Sequence, residues 1–228
     1  NIQGWLFHAE GGDYEKAFAG TWENATVADV GKAAKDWPGM NFVIYHSAIR
    51  PWLADSPDKE MAEFMKSGYI QWVTDLARIP EKFGVNNVYA EIGTSFASTC
   101  VTNPRFCGAF IGQLVNMMGP ERVVWGTDSV WYGSPQWQIE AMRRLEIPED
   151  IMQKMGWKTR LGGPNSEVKQ KIFGLNSAHL YGLDMKVAQG PAFTSDKLAA
   201  IKAEYLAMGG DTGRSNASYG YVAKKTSA

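Results

Sequence analysis

An α/β fold built on a parallel sheet is predicted for this chain, and three observations predict it. Apolar runs rich in β-branched and aromatic residues recur at Ile2–Phe7, Met40–Ser47, Val85–Ile92 and Arg122–Ser129, as buried strands require. Between them lie segments whose apolar residues repeat at three and four, the period of a helix packed by one face. Strand and helix alternate without two strands in succession, the pattern of βαβ units. An open doubly wound sheet fits the same alternation. However, no Gly-x-Gly-x-x-Gly, P-loop or Gly-x-Ser-x-Gly occurs at a strand-to-helix turn.

Each element follows from its residues. A strand over Gln3–Phe7 has His8 at its exit, before Gly11-Gly12. Thr26 is placed to cap a helix whose apolar face is Val27, Val30, Ala33 and Ala34, and Pro38-Gly39 stops it. The strand Phe42–Tyr45 ends in His46. One long helix is expected to carry Met61, Met65, Tyr69, Trp72 and Leu76 as a core stripe. The strand Val88–Ile92 has Glu91 near its tip and leaves the sheet through a loop at Gly93-Thr94-Ser95. A helix over Pro104–Met118 ends at Gly119-Pro120, and the strand Val123–Trp125 delivers Asp128, with Ser129–Tyr132 leaving as a loop. Helices over Pro135–Leu145, Pro148–Met155 and Val168–Leu175 follow. The chain divides at 183/184: residues 1–183 form the α/β unit, and 184–228 an outlying helix capped by Thr194-Ser195-Asp196 with a small, polar, extended tail.

Composition narrows the function. With 45% hydrophobic and 21% charged residues among 228, a core can form. A net charge of −1 and the lack of any basic run exclude a general nucleic-acid binder. No apolar stretch approaches the roughly 18 residues of a spanning helix, and the first residues lack a secretory pattern, so no membrane partner is expected. Asn1 is not an initiator methionine and the chain opens like the middle of a domain. An upstream region is therefore expected, and the compartment, cytoplasmic or periplasmic, stays open. Cys100 and Cys107 read as two ordinary thiols.

Two of the three histidines, His8 and His46, lie at strand exits. In a parallel sheet His46 and Asp128 face the same end, where an imidazole and a carboxylate can bind a divalent metal or pass a proton. The structural alternatives are a loop hydrogen bond for His46 and, for Asp128, a cap on the helix near Pro135 or a turn. His179 reads as a surface or capping residue. Arg50, in Arg50-Pro51-Trp52, and Trp131, in Trp131-Tyr132-Gly133, are candidates to shape a pocket for a small planar carboxylated substrate. Arg50 is equally compatible with a solvated loop cation.

Asn41-Phe42-Val43-Ile44-Tyr45-His46-Ser47, Trp125-Gly126-Thr127-Asp128-Ser129 and the segment Phe173–Asp184 together resemble the last strands and closing helix of the amidohydrolase-related metal-dependent hydrolases. Within that family the likeness is to the branch that includes aminocarboxymuconate semialdehyde decarboxylase. The resemblance spans about residues 20 to 184, and its motifs occur in the family's order and spacing. It implies a (β/α)8 TIM-type barrel whose divalent metal, zinc in this reading, is held by a His-x-His on the first strand, a His on the fifth and an Asp on the eighth. By motif Asp128 matches the eighth-strand ligand and His46 the histidine of the sixth strand that acts beside the metal.

His8, in His8-Ala9-Glu10, stands where the fifth-strand ligand is expected, although the Lys-Gly that usually follows that histidine is absent. The chain contains no His-x-His, and four strands fall short of the eight of a full barrel. The expectation is therefore the carboxyl-terminal part of a barrel enzyme, packed against the remaining barrel segment or assembled as a homo-oligomer. The implied activity is hydrolysis of a small substrate by a metal-activated water. A non-oxidative decarboxylase or hydratase on the same scaffold is an alternative, as is a non-catalytic, degenerate relative.

Overall fold

The computed structural model describes residues 26–49, 57–184 and 195–210. The predicted strand Gln3–Phe7, with His8, lies outside the described residues, as do Arg50, Trp52 and the tail from Asp211. Three strands form one sheet, β1 (Phe42–Ile44), β2 (Val88–Glu91) and β3 (Val123–Val124), in the order β1-β2-β3. Both pairings are parallel, with Phe42 opposite Val88, Ile44 opposite Ala90, and Ala90 opposite Val123. The three predicted strands that fall within the described residues are thus present with the predicted sense, each a residue shorter at its carboxyl end.

Helices cross between the strands. The first, α1 (Val30–Asp36), starts three residues later than a cap at Thr26 predicts. The Thr26 hydroxyl instead accepts from the Ala28 N–H in a local turn. Its buried Gly31 lies against the Phe83 ring, where a Cβ would come within 2.3 Å. The long helix expected over Met61–Leu76 is in fact two, α2 (Pro57–Ser67) and α3 (Val73–Phe83). Gly68 and Trp72 both take positive φ, 72° and 65°, and break it. The apolar stripe survives because Ile70 and Trp72 stay buried across the break. The backbone freed there is satisfied from the core: Ile70 N–H donates to the Thr74 hydroxyl, Thr74 donates to Gln113 Oε1, and Gln113 Nε2 donates to the Gly68 carbonyl.

The segment Gly93-Thr94-Ser95, expected as a loop, opens a helix, α4 (Gly93–Thr99). It is followed by α5 (Pro104–Met117), whose cap is the Asn103 side chain accepting from Phe106 N–H. Ser129–Tyr132, also expected as a loop, makes one helical turn, α6, ahead of α7 (Gln136–Arg144) and α8 (Glu149–Met155). The next predicted helix begins as α9 (Glu167–Gln170), widens to a π-turn over Lys171–Leu175 and continues as α10 (Asn176–Leu180). Lys169 is almost wholly buried, and its ammonium group donates to the Arg143 carbonyl at the end of α7. Asn176 Nδ2 donates to the Pro120 and Val123 carbonyls, which ties the closing helix to β3. A helix is present in the segment after 184, as α11 (Ser195–Ala207).

The core lies between the sheet and α3, α4 and α5, where Phe64, Phe96, Phe106, Phe110, Ile111 and Leu114 are fully buried. Cys100 and Cys107 are free thiols within it. None of the described helices is long and apolar enough to cross a membrane.

Candidate functional site

Because the three strands are parallel, their carboxyl ends open on one side, and the site is built there. Past Ile44 the chain does not continue as strand. Tyr45–Ala48 forms a tight turn in which His46, Ser47 and Ala48 all take left-handed φ, at 56°, 52° and 56°. This turn carries the imidazole over the end of the sheet. Asp128, four residues past β3, is also left-handed, at φ 45°. Gln138, buried on α7, donates to the Thr127 carbonyl at 2.7 Å and so holds the main chain just before Asp128.

The two side chains meet. His46 Nε2 lies 3.0 Å from Asp128 Oδ2, and because a carboxylate only accepts, Nε2 carries the proton. The Thr94 hydroxyl, from the first turn of α4, donates to the same oxygen. Asp128 occupies the position before the first turn of α6 but makes no side-chain bond to that helix. The helix near Pro135, α7, has Pro135 itself at its cap position and no side-chain cap bond, so the capping alternative is corrected, and the carboxylate turns toward His46 instead. About a third of each side chain stays open to solvent.

Charge balances across the pair. Hydrogen bonding to His46 holds the Asp128 carboxyl below its usual range against the opposing effect of burial, with Thr94 and the His46 charge adding to the lowering. For His46, burial works against protonation, but the hydrogen bond and charge of Asp128, with Glu91 behind, outweigh it and raise the pKa.

Glu91 is the residue the sequence reading left without a role. It ends β2, and its carboxylate accepts from His46 N–H at 2.9 Å through Oε2 and from Gly93 N–H at 2.7 Å through Oε1. Two glycines make the room: a Cβ on Gly126 would stand 1.5 Å from Glu91 Oε1, and one on Gly93 would stand 2.7 Å from Glu91 Oε1 and 3.0 Å from Asp128 Oδ1. Burial pushes the Glu91 carboxyl up, against the two main-chain donors. The available signal was a carboxylate at the tip of an apolar strand, the same placement that singled out Asp128.

Of the other candidates, two are described and two are not. Trp131 lies on α6 and is mostly exposed, His179 is exposed on α10, and His8 and Arg50 lie outside the described residues. As a test of the metal, Asp128 offers a partly open carboxylate beside an imidazole, a donor set suited to a divalent ion. Among the described residues, however, no group of three or more His, Cys, Asp or Glu is placed to hold one. The residues fit one ligand and its neighbour, not a complete centre.

In parallel α/β folds, barrel or open sheet, chemistry is placed at the carboxyl ends of the strands, where the His46–Asp128 pair lies. Comparison with known families agrees: the family model described as amidohydrolase matches residues 16–183, and the chain belongs to the amidohydrolase family. That family is largely enzymatic, has a TIM-barrel-like α/β fold and typically binds divalent metals. No curated protein and no solved structure gives a significant match.

Proposed function

We propose that this chain is the carboxyl-terminal part of a metal-dependent hydrolase of the amidohydrolase family, acting on a small, carboxylated substrate. The observation that carries the reading is the His46 Nε2 to Asp128 Oδ2 hydrogen bond at the carboxyl ends of parallel strands. In this reading Asp128 is the metal ligand contributed by this part of the barrel, with His8 a further ligand. A bound divalent ion, zinc in this proposal, supplies Lewis acidity and a water that ionises near neutral pH. Asp128 is oriented by the two donors on Oδ2. His46, whose imidazole is hydrogen-bonded to Asp128 through Nε2, accepts a proton as substrate reacts and returns it to the leaving group. Arg50 pairs with the substrate carboxylate, and Trp131 borders the pocket.

A non-oxidative decarboxylase or hydratase would use the same pair, with His46 delivering its proton to carbon. The partners proposed are the small-molecule substrate and either the remaining barrel segment or further copies of the chain. The test is zinc binding by the full-length protein, followed by calorimetry or chelator competition. Asp128→Ala is expected to lose at least tenfold in affinity, whereas His46→Asn keeps the metal and loses turnover. Unchanged zinc affinity and activity in Asp128→Ala would falsify the enzyme reading and favour a non-catalytic subunit.

A further inference from the structure

The turn that carries His46 is costly. Three consecutive non-glycine residues, His46, Ser47 and Ala48, hold left-handed backbone that L-residues disfavour, and such strain persists only where surrounding contacts over-determine it. Here those contacts come from one place. The Glu91 carboxylate accepts from His46 N–H and from Gly93 N–H. The Glu91 carbonyl accepts from the buried Ser47 hydroxyl at 2.9 Å. From the helix that Glu91 anchors, the buried Ser95 hydroxyl donates to the His46 carbonyl at 2.7 Å. Thus the main-chain N–H and C=O of His46 and the side chain of the next residue are all held by β2 and the first turn of α4. The same turn supplies Thr94 to Asp128.

We infer that Glu91 is a positioning residue, whose carboxylate bridges the His46 turn to the start of α4 and so sets the His46–Asp128 hydrogen bond. It works through main-chain donors and touches neither reacting group. Gly126 and Gly93 are part of the device, because only the absence of their Cβ atoms lets the carboxylate lie flat between the two backbones. The consequence for turnover rests on the proposed role of the His46–Asp128 pair; the coupling itself is a property of the metal-free chain.

The experiment is side-chain and amide nitrogen NMR on the whole, metal-free, ¹⁵N-labelled chain. There are three histidines, His8, His46 and His179, so substitution of the other two assigns His46. In the parent protein the ring is expected as the Nε2–H tautomer. Glu91→Gln leaves an amide NH₂ facing a main-chain donor, because only one of its two terminal atoms accepts. The His46 and Gly93 amide protons are expected to move upfield, and the His46 ring signals to move away from the single Nε2–H tautomer.

Glu91→Ala is expected to go further; should it fail to fold, the isosteric Gln variant decides. Asn116→Ala, which removes the side chain tying α5 to residues 158 and 159, is destabilising but remote from the turn and serves as the control. Unshifted His46 ring and amide signals in folded Glu91→Gln overturn the inference, as does an equal shift in the control. Loss of zinc binding in Asp128→Ala is read separately, so failure of the metal reading and failure of this one cannot be confused.

Discussion

Asp128 Oδ2 is shared by two donors, the His46 ring 3.0 Å away and the Thr94 hydroxyl, which makes the pair a linked titrating unit. His46 has its pKa raised, so its contribution to stability is full below its ordinary 6.5 and is lost as pH rises through the folded value. Asp128 has its pKa lowered, so its contribution is present above its ordinary 3.8 and is lost as pH falls through the folded value. Both are present between about pH 4 and 6.5. In the metal-free protein, Asp128→Asn is therefore expected to cost about 1 kcal/mol more at pH 5 than at pH 8.5. Urea unfolding at the two pH values measures it, and equal costs would refute the coupling.

Gly126→Ala tests the packing behind Glu91. The new Cβ would stand 1.5 Å from Glu91 Oε1, 2.7 Å from its Cδ and 3.3 Å from Gly93 Cα. The carboxylate must leave, because the Gly93 backbone blocks the other escape. Overpacking of this kind costs about 1–3 kcal/mol. The expected result is a lower melting temperature together with displaced His46 and Gly93 amide signals. A variant as stable as the parent would mean that the cradle is looser than described.

The sequence pattern made the sheet and half of the site legible. Phe42–Ile44, Val88–Glu91 and Val123–Val124 are short apolar runs bounded by turn residues, and such runs declare buried strands through side-chain chemistry alone. His46 and Asp128 were visible because each polar group directly follows such a run. The break between α2 and α3 was hidden, since the apolar stripe stays in phase across it, and only the left-handed Gly68 and Trp72 betray it. Glu91 was seen but given no role, because its partners are main-chain N–H groups, one of them on a distant segment. Backbone donors leave no trace in residue identity. Thr94 and Ser95 were hidden for a related reason: Gly-Thr-Ser reads as loop chemistry, yet here the hydroxyls serve the site from the first turn of a helix.

The two thiols are expected to be inert in the folded protein. Burial pushes Cys100 up to about 11 and Cys107, which is fully enclosed, further still. Thiolate, not thiol, is the nucleophile, so a disulfide reagent at pH 8 is expected to label neither residue natively and both in denaturant. Rapid native labelling of Cys107 would show that the core around α5 opens.

Asn87 offers the sharpest test of how β1 is held in place. It is buried, and its Nδ2 lies within hydrogen-bond reach of three carbonyls, Ala34 at 3.1 Å, Trp37 at 3.2 Å and Met40 at 2.7 Å. Its main-chain carbonyl accepts from Phe42 N–H at 2.8 Å. One side chain thus closes the segment between α1 and β1 and sets the height at which β1 enters the sheet. Asn87→Ala leaves carbonyl oxygens without their donor, at about 1–3 kcal/mol. Asn87→Asp is expected to be worse at pH 7, because it sets a carboxylate against a ring of acceptors. Unlike Ala, it should recover as pH falls, since a protonated carboxyl can donate to one carbonyl again; its folded pKa is raised, so the penalty grows as pH rises above the ordinary value near 4. Urea unfolding of both variants at pH 4.5 and 7 separates the cases. If Asn87→Asp tracks Asn87→Ala at both pH values, the Nδ2 donor is not what holds this segment.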